Sequence, residues 1–308
     1  ITPKAPKGEK PYRFNWQTPI LLSSHNQDIL YMGSEFLQRS MNQGETWERI
    51  SGDLTNGAKE GNVAFGTIST ISESKFQFGL LYAGSDDGKI HVSKDGGVSW
   101  QLISGNLPQN LWVSRVVASS HKKERVYVTL NGYRNDNFES YAYVSEDFGA
   151  TWTSISNGLT QAVNVIVEDS ANENILYVGT DNGLFISVDK GANWQDFSNG
   201  MPKVAIHDAV IQTKAKELIV GTHGRSIYKM DISKVQELTK DVLAKNLHLF
   251  KVNDRTKSER WGSQNYAWGK PSEPSQTIWF YSNADGIVNV SITNEAGMLV
   301  HAQKVEAK

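Results

Sequence analysis

The 308-residue chain contains no cysteine, which excludes disulfides and thiolate metal centres while leaving the redox compartment open. It also lacks an excess of charge of either sign. Lys plus Arg number 31 against 33 Asp plus Glu, for a net charge of −2. That balance offers no electrostatic footprint for nucleic acid or an anionic membrane, so no nucleic-acid partner is expected. No apolar run approaches the roughly 20 residues of a membrane span, so no membrane insertion is expected either. Proline is scarce, and two of the eight fall in the first ten residues beside Lys4, Lys7 and Lys10, so residues 1–11 read as an extended linker. The chain opens on Ile1, with no signal-peptide pattern behind it, and reads as a processed chain or a fragment.

What is present is a repeat. Residues 40–47 (SMNQGETW), 93–100 (SKDGGVSW), 145–152 (SEDFGATW) and 187–194 (SVDKGANW) share the pattern Ser-x-Asp-x-Gly-x-(Thr/Ser/Asn)-Trp, with Asn42 replacing the aspartate in the first. An Asp or Asn at the head of a tight turn accepts bonds from backbone N–H groups ahead of it, and Gly takes the positive-φ position. The Trp supplies an apolar wedge between sheets. On this reading Asn42, Asp95, Asp147 and Asp189, with Trp47, Trp100, Trp152 and Trp194, are structural.

Each box follows three apolar strands and precedes a short fourth. The box tryptophans, at 47, 100, 152 and 194, are 53, 52 and 42 residues apart. Four short strands per unit at that period are the mark of propeller blades. A fifth unit without a box runs from Ile206 to Met230, aligned by Gly221-Thr222-His223-Gly224 with Gly179-Thr180-Asp181-Asn182-Gly183. The expected organisation is all-β: about five blades over residues 12–232, a connecting helix over 233–246, and an incomplete immunoglobulin-like sandwich over 247–308. The five blades either close on themselves, with Tyr12 to Trp16 lending the missing outer strand, or form an arc of a larger propeller; the arc is preferred.

In a propeller, the loops joining second to third strands share a face with the starts of the inner strands. His223 and Arg225 fall in such a loop, and His207, Asp208, Trp112 and Arg115 lie at such starts. The longer loop of the third blade adds Arg134, Asn135, Asp136 and Glu139, and Asp86, Asp87, Asp181 and Asn182 complete the ring. Trp112, Arg115, Arg134, His207, Asp208, His223 and Arg225 are therefore candidate ligand-binding residues. Asp208, Asp136 and Glu139 are the candidate carboxylates for glycoside hydrolysis, which needs two flanking the scissile bond. Arg115, Arg134 and Arg225 are the arginines available to clamp a carboxylate. The remaining histidines show no metal-ligand spacing; no metal and no cofactor are expected.

The boxes resemble those of sialidase-like and sortilin-like β-propellers. Arg13-Phe14-Asn15-Trp16-Gln17-Thr18-Pro19, Trp112-Val113-Ser114-Arg115-Val116, Gly132-Tyr133-Arg134-Asn135-Asp136, Val204-Ala205-Ile206-His207-Asp208 and Gly221-Thr222-His223-Gly224-Arg225-Ser226 are similar to segments of large secreted bacterial proteins of the sortilin-like, BNR-repeat "glycosyl hydrolase" type. The resemblance implies a secreted or cell-surface location and a partner in N-terminal blades of the same full-length protein. It also implies a peptide, protein or glycan ligand, or hydrolysis of a polysaccharide at a site those blades complete.

Overall fold

In the computed structural model, residues 2–307 are described, except 62, 199, 265, 272 and 273. Ile1, on which the reading of a processed chain rests, and residues 265, 272, 273 and 308 of the expected sandwich lie outside them. Two compact units appear, Ile1–Ile232 and Ser233–Lys308.

The first unit is a series of antiparallel meanders, each with its strands in chain order. Inner strands are Ile20–Leu22, Ile68–Glu73, Trp112–Ala118, Val163–Glu168 and Ile206–Gln212. Blades 1 to 4 have four strands, and their outer strands are only two residues long: Glu48–Arg49, Gln101–Leu102, Thr153–Ser154 and Gln195–Asp196. Blade 5 ends at its third strand, Ile227–Asp231.

The core lies between blades. Ile29, Tyr31, Leu37 and Ile50 of blade 1 pack with Ile68, Leu81 and Ala83 of blade 2. Tyr82, Ile90 and Ile103 of blade 2 pack with Val113, Val126 and Val128 of blade 3. Tyr127, Ala142 and Ile155 of blade 3 pack with Ile166, Leu176 and Val178 of blade 4. Strands in these central layers are buried on both faces, which explains continuous apolar runs such as Leu80-Leu81-Tyr82-Ala83 in place of strict alternation.

Close approach is set by glycine. A Cβ on Gly33 would stand 2.8 Å from Ile68 of the next blade, on Gly84 2.5 Å from Val113, and on Gly179 2.6 Å from Ile206. Gly221 holds the same place in blade 5, yet its Cβ would meet only Asp208 of its own blade, 3.6 Å away. The terminal blades are correspondingly exposed: Ile20 and Leu22 at one end by 62% and 63%, Val210 and Ile227 at the other by 57% and 72%.

The strand-lending alternative is not met. Tyr12 to Trp16 forms no strand and lends nothing to blade 5. The segment lies on blades 1 and 2, where Arg13 bonds Glu35, Asp53 and the Gly66 carbonyl, and Asn15 bonds Thr67 and Asp86. These polar bonds, not aromatic alternation, place it, and Trp16 is left exposed.

In the second unit, the helix expected over 233–246 is two short helices, Ser233–Gln236 and Lys240–Leu243. Thr239 interrupts them because its extended backbone and side chain cap the second, accepting from the Val242 N–H. The described strands pair as two two-stranded sheets, Leu247–Leu249 with Phe280–Ser282 and Gly286–Thr293 with Leu299–Ala307. These pairings do not themselves make an immunoglobulin-like sandwich. Trp268 and Trp279 are exposed.

Candidate functional site

The boxes close on themselves. Ser93, Ser145 and Ser187 donate to Oδ1 of Asp95, Asp147 and Asp189 at 2.9, 2.7 and 2.7 Å. The same serine oxygens accept from the box glycine N–H at 2.7–2.8 Å. The hydroxyls of Ser99 and Thr151, followed by the N–H groups of those residues, hold the Asp95 and Asp147 carboxyls down at about 2. Each later tryptophan fastens its blade to the one before: Trp100, Trp152 and Trp194 donate Nε1–H to the carbonyls of Ile50, Ile103 and Ile155 at 2.8, 2.8 and 2.6 Å. The indoles are half-buried. Trp47 bonds the Gly44 carbonyl of its own box.

On the other face, each inner strand of blades 2 to 5 begins with a bulge that takes one residue out of the ladder: Ser69, Ser114, Asn164 and His207. A bulge re-aims a side chain, which is how a repetitive scaffold makes its blades chemically unequal. Ser69 and Ser114 donate to the Val113 and Val163 carbonyls of the following blade. Asn164 and His207 turn instead to loops of their own blades. Asn164 Nδ2 donates to Asp181 Oδ1 at 2.8 Å, and Asn131 of blade 3 donates to Asn164 Oδ1 at 2.7 Å. His207 Nε2 and His223 Nδ1 share a bond at 3.4 Å, their rings edge-to-face. Burial, then the neighbouring His223, hold the His207 imidazole below its ordinary value, with Asp181 pulling it up.

One residue beyond two of these bulges, Arg115 Nη2 meets Asp208 Oδ1 at 2.6 Å, joining the inner strands of blades 3 and 5. The row Asn131, Asn164, Asp181, Arg115, Asp208, His207 and His223 is thus one polar strip over blades 3 to 5. Trp112 stands at its blade-3 end with the Arg134 guanidinium 4.0 Å from its ring centroid.

Not every candidate joins it. Asp86 and Asp87 are buried and occupied. Asp86 accepts from the Thr67 N–H, the Thr67 hydroxyl and Asn15, and Asp87 from the Ser85 hydroxyl and the Asn56 N–H. Burial raises the Asp86 carboxyl despite the Thr67 bonds. The three arginines do not converge as a clamp, since Arg115 is turned to Asp208 and Arg134 to Trp112. Arg225 is exposed in the His223 loop. Asp136 caps the 3-10 turn Tyr133–Asn135 in the left-handed region, and Glu139 accepts from the Tyr141 hydroxyl. Among the described residues no group of three His, Asp or Glu side chains could hold a metal ion. Asn131 and Asn164 were not apparent from the sequence, because a bulge leaves no mark in an alternating run.

Repeated four-stranded meanders, each box tied to the preceding blade, define an Asp-box β-propeller. Residues 35–163 match the Sortilin-Vps10 family model, described as sortilin, neurotensin receptor 3. Residues 35–163 thus resemble sortilin-type Asp-box propeller blades. It is similar in structure to the GH74 xyloglucanase of Xanthomonas campestris, with a TM-score of 0.55 and 16% identity over 72% of this chain and 37% of that one. The Niastella koreensis GH74 enzyme gives a TM-score of 0.52 and 23% identity over 69% and 36%. An ancestral GH74 enzyme gives 0.55 and 15% over 96% and 39%. The chain therefore spans well under half the length of these proteins. No curated protein sequence matches it.

Proposed function

We propose that these blades form a ligand-binding surface of an exported protein, taking a polypeptide or a glycan along the strip over blades 3 to 5. The observation that carries this reading is the state of the carboxylates. Asp208 is bound to Arg115 and Glu139 to Tyr141, each in its own hydrogen-bonded group, whereas a glycosidase needs two carboxylates flanking one bond. The strip also concentrates the hydrogen-bonding groups that the bulges release from the ladder. Exposed apolar strands at both terminal blades support further blades of the same protein as neighbours.

The second reading is a polysaccharide hydrolase completed by residues of such blades, and the likeness in fold to GH74 enzymes supports it. Xyloglucan incubated with the full-length protein, those further blades included, distinguishes the two. The binding reading expects retention of a ligand on glycan or peptide arrays and no release of reducing sugar. Release abolished by Asp208→Asn, Asp136→Asn or Glu139→Gln would overturn it. Fractionation of expressing cells tests export.

A further inference from the structure

Blade 3 carries a second surface that uses none of Arg115, His207, Asp208 or His223. Its second and third strands, Val126–Gly132 and Asn137–Ser145, are joined through the turn Tyr133–Asn135, and Tyr133 and Phe138 flank the tip. Their rings meet edge-to-face at 6.0 Å, yet Tyr133 is 63% and Phe138 52% exposed. Asp136 lies between them in sequence, also exposed. Asn135 ties the turn back to the Asn110 carbonyl. Two large aromatics beside a carboxylate on a tethered hairpin are the chemistry of a protein-contact anchor.

The molecule contains a filled counterpart. In blade 1 the corresponding connection is Ser34-Glu35-Phe36, again an acid beside an aromatic. The chain's own extended segment Tyr12 to Asn15 occupies it. Tyr12 meets Phe36 edge-to-face at 5.8 Å, and Phe14 packs on Tyr12 at 6.2 Å. Arg13 donates its main-chain N–H to Glu35 at 2.7 Å and its guanidinium to Asp53 at 2.7 Å.

We propose that the blade-3 hairpin docks an extended polypeptide in which Arg or Lys is flanked by aromatic residues, as Tyr12 and Arg13 dock on the blade-1 connection. The cation pairs with Asp136, and its aromatic neighbours pack against Tyr133 and Phe138. A glycan fits less well. Pyranose stacking needs an open flat ring, whereas Arg134 covers the Trp112 face and the Tyr133–Phe138 pair is perpendicular.

The probe is a capped, fluorescently labelled peptide of sequence Tyr-Arg-Phe-Asn, a copy of residues 12–15, titrated against the whole chain by anisotropy. The expected result is saturable binding. It should weaken at least tenfold in Tyr133→Ala/Phe138→Ala and severalfold in Asp136→Asn, and disappear when the peptide arginine is replaced by glutamate. The substituted side chains are exposed, and an unchanged melting temperature confirms folding; Asp136→Asn keeps the test decisive if the double variant melts early. Absence of binding, equal binding by all variants, or binding of an oligosaccharide panel that is lost in the double variant would each overturn the proposal. The strip over blades 3 to 5 is tested apart from this, by substitutions of Arg115, His207, Asp208 and His223.

Discussion

Arg115 and Asp208 lie 93 residues apart and meet at 2.6 Å, tying the inner strand of blade 3 to that of blade 5 across blade 4. The pair crosses the strip in which Asn164, Asp181, His207 and His223 stand, so it orders that surface and occupies the Asp208 carboxylate. Its stabilising effect is small, because the two side chains are 32% and 68% exposed.

Arg115→Ala and Asp208→Asn should each change unfolding free energy by no more than the ~0–1 kcal/mol typical of a solvated ion pair. A double-mutant cycle in denaturant should return a coupling of the same size. A loss of several kcal/mol would mean that the pair holds the blades together rather than shaping a surface.

The glycines separate an occupied blade interface from an open one. Gly84→Ala and Gly179→Ala drive a methyl into Val113 and Ile206 and should cost about 1–3 kcal/mol by overpacking. Gly221→Ala meets nothing closer than 3.6 Å and should be neutral or stabilising by up to about 1 kcal/mol, since it reduces the freedom of the unfolded chain. Equal losses at all three positions would show that blade 5 is as tightly covered as the others.

Three equivalent tyrosines should respond differently to loss of the hydroxyl. Tyr31 donates to Glu73 at 2.9 Å and Tyr127 to Glu168 at 3.0 Å, each across a blade boundary. Register places Ala118 where a third glutamate would stand, and the buried Tyr82 hydroxyl has no partner among the described residues. Tyr31→Phe and Tyr127→Phe remove a bond to a buried carboxylate and should cost about 1–3 kcal/mol. Tyr82→Phe should be neutral or stabilising. Chemical denaturation of the three variants side by side checks the order.

Stability should fall in mild acid through His91. Burial, followed by Lys89, lowers its imidazole from 6.5 to about 4. The folded state therefore favours the neutral ring, and the unfolded chain binds the proton first. The contribution is complete above pH 6.5 and is lost as the pH falls towards 4, with an upper bound of about 3 kcal/mol. His91→Leu should flatten the stability profile across that interval. Asp95 and Asp147, held at about 2, act in a lower window, losing their contribution as the pH falls from 3.8 towards 2. An unchanged slope between pH 6.5 and 4 in His91→Leu would remove His91 as the cause.

The box turns and the strands around them are legible in the sequence because each is local. Ser, Asp and Gly stand within four residues of one another and satisfy their own hydrogen bonds, so the spacing of the letters is the structure. The same holds for the count of blades and for the face on which His207 and His223 meet, since both follow from strand order. Tertiary structure alone decided which loop residues face solvent. Asp86 and Asp181 occupy the same place in the repeat, but Asn15, from 71 residues away, comes to bond the first, while the second bonds Asn164 in the strip. It also decided that Arg115 would take Asp208, and that Tyr82 would face an alanine. A repeat makes the blades equal in sequence pattern; what packs on each from far along the chain makes them unequal, and such contacts obey no spacing rule.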